Sequence, residues 1–292
     1  MKVHQKYFRS FDGTKIGYQV VGRGHKKIIL CNGLGGTMLA WSPIYKHFGK
    51  QYKFITWDYR GLFTSDKPKN LNNLDMKHHC QDLACLIKRE RITKAVFAGW
   101  SMGVQVCLEF YRKHKSLYHG MILINGTSGY PFDTALNSPL AKYVIPQTNK
   151  LLKIILPSMQ PKLRPIAKLV IDSNEFIKIV AKLGMINKNL DSTIFKQVAK
   201  DMIKTDLSLY SELLNRLNQH DASQVLGQIR KPTLIMAGTK DIMTPSKMAI
   251  NMSKSIKNSE LFVLNNASHY SILEFPEMIN SRIAQFLEEN NF

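Results

Sequence analysis

Apolar runs and helical spacings alternate along most of this chain. Lys2–Arg9 and Lys15–Val21 flank Asp12-Gly13, which predicts a β-hairpin. Lys27–Cys31 is a continuous apolar run, as expected of a strand buried on both faces, and Lys53–Trp57 repeats it. The first sixty residues therefore read as short strands and turns. The period then changes. Met76–Glu90 carries Cys80, Leu83, Ala84 and Ile87 at helical spacing. Ala95–Gly99 predicts a strand, Met102–His114 a helix and Gly120–Ile124 a strand. Strands alternating with helices imply parallel βαβ units and a doubly wound α/β sheet.

From about Thr127 to Gly227 the strand signals stop, and helical segments are separated by prolines and polar turns. Pro131, Pro139, Pro146, Pro157, Pro161 and Pro165 all fall early in this stretch. The βαβ rhythm returns with Pro232–Ala237, Ser246–Ile256, Glu260–Leu264 and Pro276–Glu289 as strand, helix, strand and helix. The expected organisation is one α/β domain in two parts, 1–128 and 229–292, with residues 129–228 inserted as a helical cap. An insertion above the strand ends is expected to lie over the binding crevice.

Gly99-Trp100-Ser101-Met102-Gly103 matches G-x-S-x-G. Three fixed positions at about 7% each give roughly 0.1 chance hits in a chain of this length. Context strengthens the match, because a strand ends directly before it and a helix starts directly after it. A Ser on such a tight turn has a strained backbone, so its neighbours two residues away must be small. Gly99 and Gly103 meet that need. The helix N-terminus also sets a partial positive charge beside the hydroxyl.

With that elbow, the chain resembles the α/β-hydrolase superfamily, in its serine-nucleophile, esterase- and lipase-like branch with a helical cap. The superfamily order is nucleophile, acid, His. Asp241 follows the strand Pro232–Ala237, and His269 follows the strand ending at Leu264. The resemblance implies Ser101 as nucleophile, Asp241 as acid and His269 as base. The chemistry asks for that set. A serine hydroxyl needs His to take its proton, and the imidazole needs a carboxylate to fix its tautomer. The alternative acid position follows Gly120–Ile124, but the loop Asn125-Gly126-Thr127-Ser128 holds no carboxylate before Asp133. The remaining histidines read as surface residues of turns and helices. The oxyanion hole is expected from the backbone N–H groups of Met102 and Leu34. Leu34 lies in Asn32-Gly33-Leu34-Gly35-Gly36, where the family commonly has His-Gly and this chain has Asn-Gly.

Asp58-Tyr59-Arg60-Gly61-Leu62-Phe63-Thr64-Ser65 resembles the family's D-x-R-G-x-G-x-S segment, with Phe63 in place of the second Gly. Asp58 and Arg60 read as loop supports. Gly33-Leu34-Gly35 partly imitates a dinucleotide fingerprint, but its third Gly would fall on Met38. No Walker A string or metal-spaced His/Cys cluster is present, so neither cofactor nor metal is expected. The resemblance implies a cofactor-free hydrolase of carboxylic esters, and the aliphatic residues of the inserted segment predict a preference for medium or apolar acyl chains over acetyl. Thioesters, lactones and carbon–carbon bonds beside a ketone suit the same machinery, and so does a non-hydrolytic binder or an acyltransferase. Dehalogenase and epoxide hydrolase relatives carry Asp where this chain has Ser101.

Composition changes the picture at one point. Lys and Arg number 41 against 21 Asp and Glu, a formal charge of +20. Residues Lys150–Lys204 hold eleven Lys and Arg against four Asp and Glu. A lysine-rich solvated surface accounts for this, and weak attraction to an anionic membrane surface is the sharper expectation. Nucleic acid is not expected, since no finger, KH or RNP signature accompanies the charge. Cys31, Cys80, Cys85 and Cys107 sit in apolar segments and form no CxxC pair, which reads as buried, reduced thiols. With no signal-like N-terminus and no run of transmembrane length, a cytoplasmic location is expected.

Overall fold

The computed structural model describes residues 1–187 and 190–292. Lys188 and Asn189, within the inserted segment, lie outside the described residues. Among the described residues eight strands form one sheet: β1 (His4–Arg9), β2 (Lys15–Val21), β3 (Lys26–Cys31), β4 (Tyr52–Trp57), β5 (Ala95–Trp100), β6 (Tyr118–Ile124), β7 (Thr233–Gly238) and β8 (Ser259–Leu264). Their spatial order is β1-β2-β4-β3-β5-β6-β7-β8. β1–β2 and β2–β4 pair antiparallel, and the other neighbours pair parallel. Every residue of β5 and β7 is buried, as expected of central strands covered on both faces.

Helices α1 (Ser42–Phe48), α2 (Met76–Arg89) and α3 (Met102–His114) follow β3, β4 and β5. Between β6 and β7 stand α4 (Ala141–Asp172), α5 (Glu175–Lys182), α6 (Ser192–Met202) and α7 (Leu207–Gln219). The chain closes with α8 (Ser246–Ser255), α9 (Ser271–Glu274) and α10 (Pro276–Glu289). Leu83 of α2, Leu108 of α3 and Met252 of α8 share one apolar cluster with one face of the sheet. Ile44 of α1 and Ile283 of α10 belong to the cluster on the other face. The architecture is the α/β-hydrolase fold, a mostly parallel sheet flanked by helices.

Four expectations need correction. The first sixty residues contain a helix, α1, whose start is set by Pro43 in its first turn. The prolines at 146, 157 and 161, and Pro165, do not divide the insertion, because all four lie inside the single 32-residue helix α4. Each removes one backbone bond, yet the flanking turns stay helical. Cys80 and Cys85 are half-buried rather than buried, although all four cysteines are free thiols. His79 is buried, not on the surface. Burial and the nearby Arg60 charge push its pKa down to about 3, so it is neutral near pH 7.

Candidate active site

Ser101 sits between the last residue of β5 and the first of α3. Its backbone has φ 57° and ψ −119°, a strained conformation for a residue with a Cβ. Two bonds hold it there: Ser101 N donates to Ile124 O at 3.0 Å, and Val104 N donates to Ser101 O at 3.0 Å. The flanking glycines are required by close approach. A Cβ on Gly103 would lie 1.9 Å from Cys31 O, and one on Gly99 would lie 2.4 Å from Gly103 O. Ser101 is half-buried, and its Oγ makes no capping hydrogen bond to α3.

Asp241 and His269 arrive on the loops after β7 and β8 and are both buried. His269 Nδ1 lies 2.8 Å from Asp241 Oδ2. The carboxylate also accepts from Asn125 Nδ2, Met243 N, Thr244 N and Thr244 Oγ1, each at 2.8 Å. Burial pushes the Asp241 carboxyl up, but the charge of His269, its hydrogen bond and the Thr244 bonds outweigh this and hold it below the ordinary value. With Nδ1 engaged by the carboxylate, Nε2 is the ring nitrogen left to exchange a proton. Trp100 ties the two halves together. Its Nε1 donates to His269 O at 3.0 Å, and it directly precedes Ser101.

The loop after β3 approaches Ser101 from the other side. A Cβ on Gly33 would lie 3.2 Å from Ser101 Cβ, which puts Leu34 one residue from that contact. Met102 opens α3. Asn32 keeps the loop in place although the family's usual residue is absent. It is fully buried, Nδ2 donates to Trp57 O at 3.0 Å, and its Oδ1 accepts from Trp41 Nε1 at 2.8 Å. Tyr59 Oη donates to Asn32 O at 2.7 Å. The inserted helices reach this loop, since a Cβ on Gly35 would lie 3.1 Å from the Tyr210 ring and 3.5 Å from Met202 Sδ. Burial pushes the Tyr210 phenol up, and burial with the Asp241 charge pushes Tyr270 to about 12, so both remain neutral donors near pH 7.

Asp58 and Arg60 lie where supports would. Arg60 is fully buried, pairs with Asp82 at 2.5 Å and with Asp12 at 2.8 Å, and donates to Asn73 O at 3.0 Å. Asp58 Oδ2 accepts from Thr64 N at 3.1 Å and Gln19 Nε2 at 3.3 Å. Asp133 is exposed on a short 3-10 turn before α4 and has no hydrogen bond to His269.

Two residues escaped the sequence reasoning. Asn125, at φ 45°, occupies the loop after β6, where an acid could have stood. Its amide donates to Asp241 and to Ser268 O at 2.8 Å, and its Oδ1 accepts from Ser271 Oγ at 2.8 Å. Glu274 is buried and accepts from Ser268 N and Ser268 Oγ next to His269. It also accepts from Asn187 N at 2.7 Å, which fastens the inserted segment to the histidine loop. The one available signal was a lone carboxylate in the apolar run Ile272-Leu273-Glu274-Phe275.

Known proteins agree with this architecture. A family model described as alpha/beta hydrolase fold matches residues 26–150 and 201–276, more than half of the chain, and passes over the middle of the insertion. An AB hydrolase superfamily protein of Bacillus subtilis, YisY, is 26% identical over 80% of this chain and 81% of its own length. Epoxide hydrolase 3 of Xenopus tropicalis is 24% identical over 97% of this chain and 78% of its own length. The solved esterase EaEST of Exiguobacterium antarcticum superposes with a TM-score of 0.77 at 19% identity, covering 98% of this chain and 100% of that one. A helix-flanked, mostly parallel sheet with a strained serine between β5 and α3 and a buried Asp–His pair at its strand ends, matched by this family model, makes the chain a member of the α/β-hydrolase fold family.

Proposed function

We propose that this hydrolase cleaves carboxylic esters through an acyl-enzyme on Ser101, with His269 as base and Asp241 as the acid that orients it. The observation that carries the reading is the buried Asp241–His269 contact of 2.8 Å, with four further donors on the carboxylate. Every one of those donors favours the ionised acid, and an ionised acid favours the Nδ1–H tautomer. That tautomer leaves Nε2 as an acceptor for the Ser101 proton.

In the first half-reaction Ser101 Oγ bonds to the carbonyl carbon as its proton passes to His269 Nε2. The carbonyl oxygen becomes an oxyanion, received by the Leu34 and Met102 N–H groups. Collapse breaks the bond to the alcohol, which leaves with the proton from His269. In the second, His269 takes a proton from water, the hydroxide attacks the acyl carbon, and the acid departs as Ser101 Oγ regains its proton. No cofactor or metal enters these steps. A serine nucleophile favours acyl transfer over the epoxide opening named for one relative, because a seryl ether would not be released by this machinery.

The inserted helices act as a cap in this reading. Tyr210 and Met202 over the loop at Gly35 support it. Met202 over that loop, with the aliphatic residues of α5 to α7, favours medium or apolar acyl chains over acetyl, each buried CH₂ contributing up to about 0.8 kcal/mol. Turnover of a p-nitrophenyl ester series by wild type and Ser101→Ala tests both parts. The expected result is a rise in kcat/KM beyond acetyl and a loss on the order of 10⁴ or more in Ser101→Ala. Acetyl as best substrate would refute the pocket, and an active Ser101→Ala would refute the nucleophile.

A further inference from the structure

α4 is built the opposite way round from an ordinary surface helix. At about 1.5 Å per residue its 32 residues extend about 48 Å. Its inward side is polar. Asn149 is buried and donates to Ser211 O at 2.9 Å and Asn215 Oδ1 at 2.7 Å. Lys153 pairs with Glu212 at 2.7 Å, and Gln160 donates to Thr205 O at 2.5 Å. Arg164 donates to Ile203 O at 3.1 Å and Lys204 O at 2.9 Å. A rotation of about 100° per residue puts Val144, Leu151, Ile155, Ile166 and Leu169 within about 60° of one another on the far side. All five are exposed, Leu151 by 56% and Leu169 by 73%. An apolar surface of this extent on a water-facing helix, interrupted by Lys162, marks a site that something covers.

Charge says what. The helix carries five lysines and one arginine against one acidic residue, Asp172. Lys162 is exposed within the apolar stripe, and Lys150 and Lys168 are exposed on the helix flank, about 100° round from the stripe's edge. A second copy of a +20 chain would bring like charges together across this face. An anionic bilayer surface supplies both an apolar layer for the stripe and phosphates for the lysines. Spanning is a different matter, since among the described residues no helix is long and apolar enough to cross a membrane.

We propose that the outward face of α4 docks this protein on anionic lipid surfaces, lying in the headgroup plane. The face is separate from the Ser101 site, so docking stands or falls independently of ester cleavage. The test is co-sedimentation of the full chain with phosphatidylcholine vesicles, with and without phosphatidylglycerol, in 0.1 M and 1 M salt. That change shortens the Debye length from about 10 to about 3 Å. Wild type should pellet with the anionic vesicles and less so at high salt. Leu151→Glu/Ile155→Glu/Ile166→Glu should lose about tenfold or more in binding. Lys150→Gln/Lys162→Gln/Lys168→Gln, which leaves the apolar stripe and the inward bonds intact, should weaken binding and flatten its salt dependence. Circular dichroism checks that each variant keeps its helices, and the lysine variant decides the matter if the glutamates disturb the fold. No binding to anionic vesicles in 0.1 M salt would overturn the proposal. So would binding that both variants retain, or a dimer in sedimentation velocity that the glutamates dissociate.

Discussion

Helices α3 and α4 are both amphipathic, and they use the property in opposite directions. Nine of the thirteen residues of α3 are buried, most of them apolar, against the sheet beneath Ser101. Only four of the 32 residues of α4 are buried, and two of those are Asn149 and Gln160. α3 is held by packing, so its sequence dictates its position. α4 is held by hydrogen bonds to α7 and the turn before it, which leaves its apolar side for another surface. The same alternation of residue types therefore fixes a scaffold in one region and an exposed face in the other. Chemistry that needs geometry within fractions of an ångström belongs with the first.

The largest expected effect lies in the packed region. Asp241→Asn should lower kcat by about 10⁴ while the fold persists. All five contacts on the carboxylate can come from donors, so an amide NH₂ there must oppose one of them and turn His269 to the wrong tautomer. Asp133→Asn should leave kcat unchanged. A larger effect at Asp133 would move the acid to the earlier loop.

Stability separates the two helices directly. Leu108 of α3 is fully buried, and Leu108→Ala should cost about 2–5 kcal/mol in denaturant unfolding. Leu151→Ala on α4 should stay within about 0.5 kcal/mol. Equal losses would mean that the α4 face is already covered in solution.

Acid should act on the packed region too. His79 packs against Tyr59, with ring centroids 4.9 Å apart, and its pKa falls from 6.5 to about 3 on folding. The unfolded chain then binds a proton that the folded chain refuses. Stability is untouched above pH 6.5 and falls as the pH drops from there toward 3. The slope from this group approaches about 1.4 kcal/mol per pH unit. His79→Leu should remove that part of the slope, which pH-dependent chemical unfolding would show as a shallower line than wild type gives.

Legibility followed the same division. Strands such as Ala95–Trp100 and Thr233–Gly238 were visible because both faces are buried and the apolar runs are continuous. The order Ser101, Asp241, His269 was visible because each follows a strand, and the structure brings Asp241 and His269 into contact. Asn125 and Glu274 were hidden because their roles depend on partners more than a hundred residues away, or across the insertion. The continuity of α4 was hidden by its prolines, which normally interrupt a helix. His79 stands four residues before Leu83 and eight before Ile87, so the helical spacing did place it on the buried face, and only its polar side chain argued for the surface. Nothing in local spacing reveals that α4 turns Asn149 and Gln160 inward and its leucines outward.

Ser101 as the nucleophile is the centre of this account. Treating the protein with a fluorophosphonate and mapping the adduct by peptide mass spectrometry tests it most directly. One adduct on the peptide containing Ser101, absent from Ser101→Ala and slowed in Asp241→Asn, is the predicted result. An adduct that persists in Ser101→Ala, or a wild-type protein that takes up none, would contradict it.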